Sequence, residues 1–218
     1  MSEINTLLAQ DCSAVVQRVQ RSLVVVKDWR GGAGAGIVWR RGGWIVTNYH
    51  VVARGRAVRV VMPDGRVLPA RIAARDKEVD LALLQVDDKQ IAPLMAADSR
   101  GLRVGQYVMA IGHPWGERGL VTGGLISGLG KLQTRNGRGE VEVIRSDVRL
   151  APGNSGGPLV NAAGAVIGVN TMIVGGDLGV AVPSHVVNSF IEQAVAKDGG
   201  KTAHPQDKEE RTPAECFV

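Results

Sequence analysis

The stretch APGNSGGPLVNAAGAVIGVNT, residues 151–171, decides between two ways of folding this chain. Its first half holds Gly153-Asn154-Ser155-Gly156-Gly157, a G-x-S-x-G pattern that exposes a serine on a tight turn. In an α/β fold such a serine sits between a strand and a helix, and an Asp and a His must come after it; Asp177 and His185 are the residues on offer. Ser155 is succeeded by GGPLV, with Pro158, then an Asn161–Gly164 turn and a second apolar run, AVIGVNT. That is a β-hairpin and not a helix, because proline and a turn interrupt any helical period. The serine therefore belongs to a loop between strands, and the fold class is all-β.

Working outward, the same signature repeats. Upstream lie YVMAIG, LVTGGLISGL and VEVIRSD, and downstream LGVAV, which with GPLVN and AVIGVNTMI make six short runs. Another six precede them: SLVVVKDW, AGIVW, WIVTN, AVRVVM, RVLPARIAA and LALLQV. A Pro63-Asp64-Gly65 turn joins two of these as a hairpin. Six strands and then six predict two small β-barrels, residues 22–98 and 99–183, joined through the irregular stretch Ala97–Gly105. The 29 glycines and few aromatic residues suit short strands and tight turns.

Helices are expected only at the ends. Ile4, Leu7, Leu8, Cys12, Val15, Val16 and Val19 recur at helical spacing within residues 1–21. Their stripe needs cover from the barrels or from another copy of the chain. Ser184 is placed to cap a closing helix over 185–197. Residues 198–218 are polar and punctuated by Gly and Pro, and read as a disordered tail.

A net charge of +5 with scattered basic residues points to no dedicated nucleic-acid partner. No run is long enough for a membrane span. The first twenty residues lack the pattern of a secretory signal, which places the sequence as it stands in the cytoplasm; an exported protein without its leader would read the same way. Cys12 and Cys216 form no disulfide framework, and they pair only if the termini meet. His113 and His185 show no ligand spacing and read as structural, so neither metal nor cofactor is expected.

Three segments match the needs of acyl transfer by serine. A serine hydroxyl needs a base, an imidazole suits that task, and a buried carboxylate fixes the imidazole tautomer. His50 comes just after the apolar run WIVTN, Asp80 opens the run LALLQV, and Ser155 sits in the glycine turn. That turn aims backbone N–H groups of Gly153, Asn154 and Ser155 toward a developing oxyanion. Each residue alone reads as a loop, cap or turn residue; their joint order carries the assignment.

TNYHVV, DLALL and GNSGGPL resemble the triad motifs of the HtrA (Deg) family of trypsin-like serine proteases. GAGIV, PDGRVLPARI, LRVGQYVMAIGHPWG, GLISGLG, AVIGVNT and GVAVPS are similar as well, so the resemblance covers roughly residues 22–185. It implies two perpendicular chymotrypsin-like barrels with the active site between them. It also implies an ATP-independent endopeptidase for unfolded or damaged polypeptides, and trimers formed through the segment before the first strand. A catalytically weak chaperone or peptide-binding module is the alternative.

The sequence departs from the family's pattern in places. Too few residues come after the closing helix for a PDZ domain, and the stretch between SLVVVKDW and GIVW is short. Tyr49 stands where small or amide residues are commoner. Arg149 stands where the family keeps a small residue at the floor of the specificity pocket, whose other expected members are Val169, Asn170 and Thr171. An inward Arg149, partnered by Asp147 or Asp177, would favour acidic side chains; an outward one would lie in solvent.

Overall fold

The computed structural model describes residues 3–28, 32–53, 58–88, 90–113, 119–134, 136–137, 139–174 and 178–199. The chain begins with helix α1 (Glu3–Gln20) and strands β1 (Leu23–Asp28), β2 (Ala33–Arg40) and β3 (Trp44–Thr47). One turn of helix, α2 (Tyr49–Val52), comes after β3, and β4 (Val58–Val61), β5 (Val67–Asp76) and β6 (Leu81–Gln85) complete the first half. A 3₁₀ turn at Ser99–Gly101 marks the join. The second half holds β7 (Tyr107–Gly112), β8 (Leu120–Gln133), β9 (Glu140–Ser146), β10 (Pro158–Asn161), β11 (Val166–Val174) and β12 (Leu178–Pro183), then helix α3 (Ser184–Gly199).

Each half closes into a six-stranded antiparallel barrel, in the orders β1-β2-β3-β6-β5-β4 and β10-β11-β12-β9-β8-β7. Closure removes the exposed edges that such short strands would otherwise present. Both sequence-predicted hairpins form. The Gly65 amide donates to Met62 O at 2.9 Å, with Gly65 at a φ of +93°. In the other turn, Asn161 Oδ1 accepts the Ala163 and Ala165 amides.

Each barrel has its own filling. Val24, Val38, Ile45, Val60 and Leu84 pack inside the first, and Val108, Ile126, Ile144, Leu159 and Ile167 inside the second. A third cluster joins the barrels, with Ile37, Leu81, Leu83, Ile111 and Val160 meeting Val19 of α1 and Val187 and Ile191 of α3. Fully burying such a side chain is worth about 1.5–3 kcal/mol, so this shared cluster holds the barrels and both helices as one body.

The stripe on α1 is covered at its C-terminal end by the chain's own barrels: Val15 and Val16 pack against the shared cluster, and the Arg18 guanidinium donates to the Ala163 carbonyl. Cys12 is exposed. Cys216 and the stretch read as a tail, 198–218, lie outside the described residues except that α3 runs on to Gly199.

The capping of α3 differs from expectation. The Ser184 hydroxyl donates to the Ala97 carbonyl, and the first-turn amide of His185 is accepted instead by Ser99 Oγ at 3.1 Å. The cap comes from the inter-barrel join because Ser184 is fully buried against that segment. His185 is engaged structurally, with Nδ1 2.7 Å from Ser99 Oγ and Nε2 3.2 Å from Glu142.

Candidate active site

Strand β3 ends at Thr47, whose hydroxyl donates to Ala35 O at 2.7 Å. Asn48 is buried next to it, and its side-chain amide donates to the Asp80 carbonyl at 2.9 Å. The Tyr49 amide donates to the same carbonyl at 3.1 Å. These bonds tie the one-turn helix α2 to the residue just before β6. His50, in that turn, therefore stands beside Asp80.

Asp80 has a φ of +55°, the one left-handed non-glycine residue among those described. Asp and Asn adopt this region more readily than other residues because their short side chains bond locally. The conformation aims the carboxylate back at α2. Oδ1 accepts the His50 backbone amide at 3.0 Å, and Oδ2 lies 2.8 Å from His50 Nδ1. The Thr171 hydroxyl donates to Oδ2 as well. Asp80 is 4% exposed, so a buried carboxylate is satisfied by three donors. With Nδ1 donating, a neutral imidazole keeps Nε2 as its acceptor.

Ser155 reaches the same place from the second barrel. Its turn is braced on every side: the Gly156 amide donates to Asn170 O, the Asn170 amide to Gly157 O, and the Ala35 amide to Ser155 O. Gly156 has to be glycine, because its φ is +83° and a Cβ would lie 2.2 Å from Ala35 O. His50, Gly153 and Ser155 line one cleft of about 470 Å³, with Asp28, Ala33 and Tyr49 on its walls.

The Ser155 hydroxyl donates to the Thr171 carbonyl at 3.2 Å and makes no hydrogen bond to His50 among the described residues. Such links commonly tighten only when substrate is bound. Of the three amides expected to face the oxyanion, that of Asn154 is engaged by Ala151 O at 2.9 Å. That bond directs the Asn154 N–H to the Ala151 carbonyl and takes it out of the set. The Gly153 and Ser155 amides have no acceptor among the described residues, and both residues line the cleft.

Among the described residues, those expected to line a specificity pocket go to different places. Arg149 is exposed, and its carbonyl accepts the Thr122 hydroxyl at 2.8 Å. The buried neighbour Val148 occupies the inward position, so the alternation of the segment turns Arg149 outward. Asp147 is also exposed and accepts the Leu125 amide, and Asp177 lies outside the described residues. Val169 is core, packed in the cluster between the barrels. Asn170 braces the serine turn, with its side chain on Pro158 O. Thr171 serves Asp80. A hydroxyl in a strand carries no sign in the sequence of the carboxylate it meets 91 residues away.

Comparison with known proteins identifies the family of the fold. The family profile described as a trypsin-like peptidase domain matches residues 34–169. The chain is 37% identical over 183 residues to "Protease Do-like 1, chloroplastic" of Arabidopsis thaliana, covering 80% of this chain and 41% of that protein. It is 40% identical over 159 residues to the "Periplasmic serine endoprotease DegP" of Escherichia coli K12, covering 70% of this chain and 33% of the relative. The chain thus spans about two fifths or less of the length of these curated relatives. Among solved structures, "HtrA-type protease AlgW with decapeptide" superposes with a TM-score of 0.76 at 28% identity, covering 84% of this chain and 67% of that one. Two closed barrels, matched by the peptidase profile over residues 34–169 and by HtrA-type proteases in sequence and structure, place this chain in the trypsin-like peptidase family, with relatives of the HtrA/DegP type.

Proposed function

We propose that the chain is a serine endopeptidase whose protease unit spans residues 22–197, with Ser155 as nucleophile, His50 as general base and Asp80 as the carboxylate that orients it. The observation that carries this reading is the two-point hold of Asp80 on His50, at Nδ1 and at the backbone amide. Ser155 Oγ attacks the scissile carbonyl while His50 Nε2 takes its proton. The carbonyl oxygen becomes an oxyanion that accepts from the Gly153 and Ser155 amides. His50 then hands the proton to the leaving amine, and water hydrolyses the acyl-enzyme by the same steps. The substrates proposed are unfolded or damaged polypeptides, in keeping with relatives named as endoproteases. Those relatives are named for the periplasm or the chloroplast, which weighs toward the exported alternative over the cytoplasmic one.

The engagement of the Ser155 hydroxyl by Thr171 O supports a second reading, a binding module with weak chemistry. Casein hydrolysis and fluorophosphonate labelling separate the two. The endopeptidase reading expects hydrolysis and labelling that Ser155→Ala abolishes with the fold retained. Equal hydrolysis by wild type and Ser155→Ala would refute it.

A further inference from the structure

The turn that presents the oxyanion amides is held from outside the triad. The peptide unit between Gly153 and Asn154 is bonded at both polar atoms: Gly153 O accepts the His113 amide at 3.1 Å, and the Asn154 amide donates to Ala151 O at 2.9 Å. A peptide unit is planar, so fixing its two polar atoms fixes its rotation. Gly153, at a φ of +105°, has the freedom to rotate that an L side chain would remove. Gly153 and Ser155, whose amides are the candidate oxyanion donors, flank this peptide unit, so its two bonds anchor the turn that carries both.

His113 is itself held. It lies just past β7, is 8% exposed, and its Nδ1 accepts the Gly119 amide at 3.1 Å. The Gly119 carbonyl in turn accepts from the side-chain amide of Gln20 at 3.1 Å. Gln20 is the last residue of α1. The approach is close: at Gly119, φ +73°, a Cβ would lie 2.1 Å from Gln20 Nε2. Just before Gln20, Val19 is fully buried between the barrels and Arg18 is bonded to Ala163 O, so the helix end is a fixed base. Hydrogen bonds run without a break from Gln20 through Gly119 and His113 to Gly153.

We infer that Gln20 and His113 are positioning residues for the oxyanion hole, so that the seating of α1 on the barrels sets how well the hole is formed. The inference rests on the endopeptidase reading of the site. It gives α1 a part in the chemistry in addition to its burial. It also gives the His113 ring a chemical requirement: Nδ1 must be unprotonated to accept from Gly119.

The test uses the full chain with Gln20→Leu, His113→Phe and His113→Asn. Asn is the conservative variant, since its side-chain oxygen takes roughly the place of Nδ1. Val60→Ala, inside the first barrel, is the control for lost stability. Removing an oxyanion donor outright costs about 10²–10³ in kcat; a donor left in place but less well aimed costs part of that. Gln20→Leu and His113→Phe are expected to lower kcat roughly tenfold on a peptide substrate with KM within about twofold. They should weaken a peptidyl boronate by the same factor and speed hydrogen exchange at the His113 and Asn154 amides. His113→Asn should recover kcat, and Val60→Ala should lower Tm without changing kcat. Wild-type kcat in Gln20→Leu, a change in KM alone, or unchanged exchange at the two amides would overturn the inference. Exchange needs no turnover, so it decides the relay even where absent hydrolysis by the wild type would count against the endopeptidase reading.

Discussion

Asp80→Asn is the most demanding test of the triad, because the surrounding donors dictate which way the new amide must point. Three donors face the carboxylate: the His50 backbone amide at Oδ1, and at Oδ2 both His50 Nδ1 and the Thr171 hydroxyl. A carboxylate accepts all three, whereas an amide has one accepting end. Placing the NH₂ at the Oδ1 position sets it against a backbone N–H that cannot turn into an acceptor. The NH₂ therefore goes to the Oδ2 position, where the Thr171 hydroxyl can rotate to accept and the imidazole can respond only by accepting at Nδ1. That puts the ring proton on Nε2 and removes the base. Backbone strain is not added, because Asn tolerates the φ of +55° found at Asp80. The expected loss is about 10⁴ in kcat, equivalent to roughly 5.5 kcal/mol of transition-state stabilisation, with KM nearly unchanged. Steady-state hydrolysis of a peptide substrate, alongside Tm by calorimetry, measures both effects. Activity within tenfold of wild type in a folded Asp80→Asn protein would refute the tautomer argument.

Gly156→Ala combines a left-handed φ with a Cβ 2.2 Å from Ala35 O; it should destabilise by more than the ~1–2 kcal/mol of the backbone term alone and depress kcat, read by chemical denaturation and turnover. Arg149→Ala should leave cleavage-site preference in a peptide library unchanged, since the side chain is exposed; a switch in preference would place Arg149 in the pocket after all. Asp88 has its carboxyl held below the usual carboxylate range, first by the Gln90 amide and then by the Arg66 guanidinium. A depressed carboxyl stabilises the fold above its unfolded value of about 3.9, and the contribution is lost as pH falls through the lower native value. Asp88→Asn should accordingly lower Tm at neutral pH, with the gap to wild type closing in acid.

The two barrels were legible in the sequence because short apolar runs and turn residues report local conformation directly. Pro63-Asp64-Gly65 and Asn161–Gly164 each contain their own reason to turn, and each forms a hairpin. The candidate residues His50, Asp80 and Ser155 stand out in the sequence for a related reason: a histidine after a strand, an aspartate opening one and a serine among glycines each need particular backbone geometry next door. The single turn α2 had no signal, since four residues are too few for a helical period.

The strand pattern, the two-fold grouping and the three side chains with matching chemistry were therefore determined by the sequence itself. Tertiary structure alone decided which neighbours those side chains meet. Thr171 is given to Asp80, Ser99 instead of Ser184 accepts a first-turn amide of α3, and Val148 instead of Arg149 turns inward. It also decided that Gln20, 133 positions before Gly153 in the sequence, reaches the oxyanion turn through Gly119 and His113. Local sequence fixes backbone conformation through steric terms acting over a few residues. Hydrogen-bond partners far apart in the chain are chosen only when barrel closure and the burial between the barrels bring them within about 3 Å of one another.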